Sequence, residues 1–577
     1  MGALRAAAAV VRVDETRGTT PFSGIGDSVA LALAVLLSLA AYVTRLGFYS
    51  DDWAFFGRYA TAESPTVAGY FDASYSAHHA MRPVQLWLCA VLYRLFGLEP
   101  LGYHVFNAVL LVLNPLLCYW LFRELRVPRV VALPVAFVYG LLPSYSTDRY
   151  WFLAFAVTLS MTACLASMLA DVRAAALGGP RGFVWKAGGA AATLVSGLAY
   201  EVALGLLVLT PVLMAVRTWQ ATGRPDRRRA AYLGVLIAIH VVLLAGIGAF
   251  KLQTTVRLGG GEAGIVAQVT SISRQALRPD VPEGAYGLNV FSAARVHFGT
   301  YGMFLGRTAA AAARLAPASL LWSTMVFAAA FFLYLVFAVR AARWPSPAEW
   351  AAVILAGLVV FALGYAIFLT NYNVQFTAAG IANRSAIAAA LGAALCLTGG
   401  AGLVTSLTPA RVRPIVLSAV IVGVGSSGYL IVNVIANAWA DAYATERAVL
   451  AGIQRRFPTL PRHSTLLLDG VCPYVGPAVV FEANWDLAGA LQTLYRDLTL
   501  KADIVTPRLT VTDDAIVTTI YERPTSYPYG PELLIYRADT GEVHSLTNAA
   551  TARAYFARSI QASSCPLGQE GVGVRLF

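Results

Sequence analysis

The sequence predicts a polytopic α-helical membrane protein that ends in a small α+β domain. Of its 577 residues, 58% are hydrophobic and only 13% charged, against about 45 to 50% and about 25% in soluble domains; the mean hydropathy is +0.63. Apolar runs long enough for a bilayer core, about 20 residues, recur from residue 29 to residue 436. After that the chain becomes polar, with mixed helical and strand patterning. This balance excludes a soluble enzyme, and the unbroken apolar runs exclude a porin-like barrel.

The runs give about eleven candidate spans, at 29–46, 103–122, 129–145, 151–170, 186–199, 202–217, 230–250, 319–339, 349–369, 385–404 and 414–436. Residues 83–97 are also apolar, but they are few and include Arg94, so they are read as an amphipathic helix lying in the interface. Arg123, Arg126, Arg129, Arg173, Arg181, Arg224, Arg227, Arg228, Arg229, Arg340, Arg343, Arg411 and Arg413 then all fall on one side. The positive-inside rule makes that side the cytoplasm, with the N-terminus cytoplasmic and the tail outside. Much of the formal net charge of +12 thus marks topology, and no nucleic-acid partner is expected. The polar stretch 1–28 before a long apolar run reads as a signal anchor.

The expected organisation is a membrane domain over 1–438, with external loops 47–102, 251–318 and 370–384, followed by an extracytoplasmic domain over 439–577. That domain opens with a helix over 441–457 and has β-rich runs at 464–468, 503–511 and 515–521. Cys89, Cys118, Cys164 and Cys396 lie in apolar segments as small hydrophobes. Cys472 and Cys565 lie in the polar tail and form the candidate disulfide if it faces an oxidising compartment.

Chemistry is expected on the external loops. Tyr49-Ser50-Asp51-Asp52-Trp53 follows the first span. Adjacent carboxylates repel, which raises the pKa of one and suits it to general-base work; an Asp there also suits the cap of a helix starting near Trp53. His78 and His79 in HHAMRP are candidate ligands of a divalent cation together with Asp52, or plain interfacial residues. Arg82 precedes Pro83, a residue suited to starting a helix. Tyr200 and Glu201 sit between closely joined spans, where a carboxylate needs a partner or a watery cavity. Asp148 and Arg149 occupy another short external loop; Asp148 is a further active-site candidate, or the two pair with each other. Arg384 stands at the entrance of the tenth span, after Asn383. Its planar fork suits phosphate oxygens, or it snorkels to the interface.

The order of these features resembles the GT-C superfamily of integral membrane glycosyltransferases. The resemblance rests on Asp51-Asp52 opening the first external loop, on HHAMRP, on the stretch LFGLEPLGYHVFNAVLLVLNPLLCYWLFREL from Leu95 to Leu125, and on GIANRS around Arg384. It covers residues 45–210 well and weakens beyond. The resemblance implies a sugar donor on polyprenyl phosphate, a glycan, lipid or protein acceptor, inversion at the anomeric carbon, and an active site at the outer membrane surface; the arginine-heavy composition points to a bacterial source, hence a cytoplasmic membrane. The resemblance maps the catalytic acid onto Asp51 or Asp52, with a slight preference for Asp51; charge developing on the leaving phosphate would then be met by Arg384, aided by Arg82. LAYEVAL, from Leu198 to Leu204, is similar to a short family motif ending in an acid, Glu201 here, but has Tyr200 where that motif commonly has Lys. A divalent metal ion is a candidate cofactor.

The alternative is a lipid or solute transporter, or flippase, without chemistry, since many spans with intramembrane polar residues also suit translocation. No internal half-repeat is visible, and the polar residues singled out lie at the external ends of spans, which favours the enzyme.

Overall fold

The computed structural model describes residues 21–76, 79–257, 261–280, 286–370, 374–520 and 523–559. Among them, nine helices are long and apolar enough to cross a membrane: Gly24–Arg45, Pro100–Glu124, Phe152–Leu177, Leu204–Thr222, Arg227–Thr255, Ala318–Arg340, Pro347–Thr370, Ile381–Thr405 and Arg413–Arg456. A tenth is counted if Arg129–Leu141 and Pro143–Arg149 form one span bent by 58°. The chain is thus a polytopic helical membrane protein with a sheet-containing C-terminal domain.

Three departures from the sequence expectation have physical reasons. The run 129–145 breaks at Leu142, whose backbone is extended (φ −60°, ψ 130°), because a residue before proline is pushed out of the helical region. The expected span 186–199 is the second half of a longer helix, Gly179–Ala199. That helix is less apolar because it carries Lys186, which is 2% exposed and pairs with Asp171 of the neighbouring span at 2.8 Å. Finally, the expected span 414–436 and the expected helix 441–457 are one helix of 44 residues, Arg413–Arg456, running straight through residue 438. At 1.5 Å per residue it is roughly 66 Å long, about twice a hydrocarbon core, so its second half stands clear of the apolar layer. Trp439, Ala442, Glu446, Val449 and Ile453 form a buried stripe along that half, at the three-and-four spacing of a helix face packed on a partner. The segment 83–97 forms the short helix Pro83–Phe96, with the proline in its first turn.

Side-chain contacts gather at two levels. At one, Asp27 accepts from Arg129 Nε at 2.8 Å, Tyr334 at 2.6 Å and Tyr119, and Glu124 pairs with Arg173 and Arg217. At the other, Arg45 Nη2 donates to Asn437 Oδ1 at 2.6 Å, and His104 Nε2 lies 2.8 Å from Gly47 O. The C-terminal domain stands on this second level.

Its four-stranded sheet has the order Lys501–Ile504, Thr465–Asp469, Leu533–Arg537, Val543–Ser545; the first three strands are parallel and the last antiparallel. Leu466 and Leu468 join the hydrophobic core shared with the membrane helices, whereas Leu467 between them joins a separate small core with Ile516, Ile535 and Phe556; this is the two-residue alternation of a strand. The expected strand 503–511 is two pieces, Lys501–Ile504 and Thr510–Val511, separated across Pro507, which lacks a ladder donor. Cys472 is disulfide-bonded; Cys565 lies outside the described residues.

Candidate functional site

The chain leaves the first span and reverses at Tyr49-Ser50-Asp51-Asp52, where the Asp52 amide donates to Tyr49 O at 3.0 Å. Ser50 has φ 48° and ψ −121°, the first central position of a type II′ turn, normally taken by glycine. Holding a side-chain residue there costs about 1–3 kcal/mol, and such strain persists only where the surroundings over-determine it. Here the Ser50 hydroxyl donates to Glu482 Oε1 of the C-terminal domain at 3.0 Å.

The two adjacent carboxylates have different environments. Asp52 is fully buried; its Oδ2 accepts the Tyr49 amide at 2.9 Å and its Oδ1 the Leu153 amide at 3.1 Å. Burial pushes its pKa well above the usual carboxylate range, the two amides oppose this, and the charge of Asp51 adds to the rise. Asp52 therefore ties the turn to the segment before the helix Phe155–Leu177. Asp51 is half-buried and begins the helix Asp51–Ala60, where the helix dipole favours a negative charge. Tyr49 is an anchor: its hydroxyl donates to Trp439 O at 2.8 Å and its ring meets the Trp439 ring edge-on at 4.7 Å.

Trp151, which the sequence reading did not single out, joins this turn to Arg384. Its indole N–H donates to Tyr49 O at 3.0 Å, and the Arg384 guanidinium lies 4.9 Å from its ring centroid. Arg384 is half-buried and donates from Nη1 to Ile381 O at 2.7 Å. Asn383 sets this segment: its Oδ1 accepts the Thr147 amide at 3.0 Å, and its Nδ2 donates to Ser146 Oγ and to Ala378 O, each at 3.1 Å.

The expected pairing of Asp148 with Arg149 does not occur. Arg149 turns inward, donating to Ser38 Oγ at 3.0 Å and to Gly140 O. The buried Asp148 carboxylate accepts no hydrogen bond among the described residues, and the cations acting on it are Arg384 first and Arg149 second.

A second ionic group lies beside the first loop. Arg82 grips Glu201 with both edges of its fork, Nε to Oε2 at 3.1 Å and Nη2 to Oε1, and stacks 3.8 Å above the Tyr200 ring. Lys251, also missed from sequence, reaches Glu201 Oε2 at 3.3 Å and Met81 O at 3.0 Å. Against the upward push of burial, Arg82 and then Lys251 hold the Glu201 carboxyl down at about 2. Arg82 thus turns Nε and Nη2 of its fork to a carboxylate.

Of the candidate cation ligands, Asp52 and His79 have other partners among the described residues. Asp52 has both oxygens on backbone amides, and His79 Nδ1 lies 2.8 Å from Ser76 Oγ with its ring 5.0 Å from Phe55. His78 lies outside the described residues. Among the described residues no group of three or more His, Cys, Asp or Glu is placed to hold a metal, so no catalytic step is derived through one.

No family model matches the chain, and no curated protein matches it. Among solved structures it is similar to the oligosaccharyltransferase of Archaeoglobus fulgidus tethered to an acceptor peptide, at 14% identity and a TM-score of 0.39, covering 78% of this chain and 62% of that one. The chain therefore spans about three fifths of that protein's length. It is also similar to ArnT from Cupriavidus metallidurans in the apo state, at 15% identity and a TM-score of 0.33, covering 78% and 82%. ArnT bound to undecaprenyl phosphate gives 16%, 0.34, 82% and 89%.

Proposed function

We propose that the chain is a membrane glycosyltransferase of GT-C type. It moves a sugar from a polyprenyl-phosphate-linked donor to a hydroxyl acceptor at the outer face of the cytoplasmic membrane, with inversion. The observation that carries this reading is the linkage of a half-buried acid, Asp51, through Tyr49 and Trp151 to a half-buried cation, Arg384, where several spans end.

An isoprenoid carrier keeps its phosphate near the interface, so the reacting carbon must lie at the height of the span ends. Asp51 takes the proton of the acceptor hydroxyl as that oxygen attacks the anomeric carbon, a contribution of typically 10²- to 10⁴-fold. The sugar–phosphate bond breaks with its electron pair passing to the phosphate, and Arg384 stabilises the charge developing there. Asp52 holds the turn that aims Asp51. Glu201 and Lys251 hold Arg82 and Met81, and with them the short helix Pro83–Phe96 that follows.

The arginines support this sidedness: Arg129, Arg173 and Arg217 pair with Asp27 and Glu124 at the level away from the C-terminal domain. The disulfide at Cys472 suits an oxidising compartment for the domain. Its role in this reading is acceptor recognition, with 1–438 and 439–577 as the functional halves.

The test is release of undecaprenyl phosphate from a panel of undecaprenyl-phosphate-linked pentoses and hexoses by the purified full chain. Asp51→Asn should remove turnover while leaving the fold intact. Full turnover in Asp51→Asn, or no release from any donor by the unaltered chain, would refute the reading.

A further inference from the structure

The strained residue just before Asp51 is held from the far end of the chain. Ser50 and Glu482 are 432 positions apart, and their side chains meet at 3.0 Å in a buried contact. We infer that Glu482 of the C-terminal domain is a positioning residue for Asp51, acting through the Ser50 hydroxyl, which makes the domain a working part of the site. The inference rests on the reading of Asp51 as the base.

Glu482 is built to hold one orientation. The residue is 7% exposed. One carboxylate oxygen takes the Ser50 hydroxyl, and the other accepts from Tyr474 at 2.5 Å. Its backbone amide donates to Asp486 Oδ2 at 2.7 Å, and Asp486 is itself fully buried at the start of the helix Asn484–Tyr495. The carboxylate thus sits on a fixed piece of backbone, in reach of the Ser50 hydroxyl.

The geometry of the turn gives this contact its leverage. A serine at φ 48° relaxes toward ordinary backbone angles once its restraint is lost, and Asp51 is the next residue. Its other neighbour, Asp52, is pinned by the Tyr49 and Leu153 amides. The base is therefore clamped between one restraint from the membrane helices and one from the C-terminal domain. Misplacing a reacting group by about 1 Å can cost on the order of 100-fold in rate.

The experiment uses the full chain in nanodiscs and the same undecaprenyl-phosphate sugars, reading kcat and donor KM separately, with thermal unfolding as the control for folding. Ser50→Ala and Glu482→Ala should each lower kcat about 10- to 100-fold, with donor KM within about twofold, because the donor phosphate is held elsewhere. The double variant should be no worse than either single one, since both remove one contact. Glu482→Gln keeps an acceptor oxygen and should recover most of the loss. Ser50→Gly, which adopts the turn without strain, should outperform Ser50→Ala. Unchanged kcat in Ser50→Ala and Glu482→Ala, or losses that add in the double variant, would overturn the inference. If Glu482→Ala does not fold, Ser50→Ala decides alone, and unchanged kcat there overturns the inference. Normal turnover in Asp51→Asn sinks the base assignment itself, whereas loss there without loss at Ser50 and Glu482 sinks only this inference.

Discussion

Gly489 lies so close to Trp53 that a β-carbon added to it would collide with the Trp53 carbonyl oxygen. Across the same contact, a β-carbon on Gly57 would stand 3.0 Å from Gly489 O. Two glycines thus let the helix Asp51–Ala60, which begins with the proposed base, meet the domain helix Asn484–Tyr495 backbone to backbone. Overpacking a tight contact costs typically 1–3 kcal/mol. Gly489→Ala should therefore lower the unfolding temperature and reduce kcat together. Loss of stability with full turnover in the folded fraction would show that the seating of the domain does not matter to Asp51.

Arg384 tests the leaving-group side. Arg384→Lys keeps the charge but loses both the planar fork and the stack on Trp151, so it is not a conservative change. Removing one well-aimed donor to a developing anion costs about 10²- to 10³-fold, and Arg384→Lys should fall by a large part of that in kcat/KM for the polyprenyl-phosphate donor. The KM of the acceptor should stay near its original value. A deficit confined to the acceptor would remove Arg384 from the phosphate.

How much of this was legible in the sequence depends on how far apart the partners lie. Apolar runs mark spans because lipid selects composition directly, and those runs gave most of the helices. Helix Gly179–Ala199 was cut short because Lys186 looks like a terminus until Asp171 is known to neutralise it inside the bundle. The break at Leu142 was visible in Pro143 and was overridden by the apolar run around it. Asp51 and Asp52 were legible as a pair but not as two environments, because the amide that fixes Asp52 belongs to Leu153, 101 positions later. Glu201 was legible as an acid in need of a partner, whereas Lys251, 50 positions on, carried no local signal of being one. Trp151 read as one more aromatic residue among many; only the fold brings its two faces of contact together.

The buried pair Lys186–Asp171 is 3% and 0% exposed, and His240 Nδ1 adds a contact at 3.2 Å to the same carboxylate oxygen. Removing one partner of a buried pair leaves an uncompensated charge, at about 3–5 kcal/mol. Lys186→Met should therefore destabilise the chain strongly, while Lys186→Met combined with Asp171→Leu should return most of that stability. Thermal unfolding of both variants in detergent is the measurement. Equal losses in the two would mean that the pair is itself a net source of stability.

The Arg82–Glu201–Lys251 group predicts an acid limb in stability with a definite sign. Glu201 is held at about 2 in the fold, below the roughly 4.3 of an unperturbed Glu. A depressed carboxyl stabilises the fold above its unfolded value and loses that contribution as the pH falls toward its folded value. The contribution is on the order of 3 kcal/mol at neutral pH, reduced by water reaching a side chain that is 17% exposed. It should hold from pH 7 down to about 4.5 and disappear between there and about 2. Glu201→Gln has no such titration and leaves Arg82 and Lys251 facing a neutral amide, so at pH 7 it should unfold at a lower temperature than the unaltered chain. On acidification that gap should narrow through the same window, because protonation of Glu201 brings the original chain toward the variant. A gap that stays constant from pH 7 to pH 3 would show that the ion pairs with Arg82 and Lys251 contribute nothing to the fold, and that Glu201 is held by its packing on the surrounding helices alone.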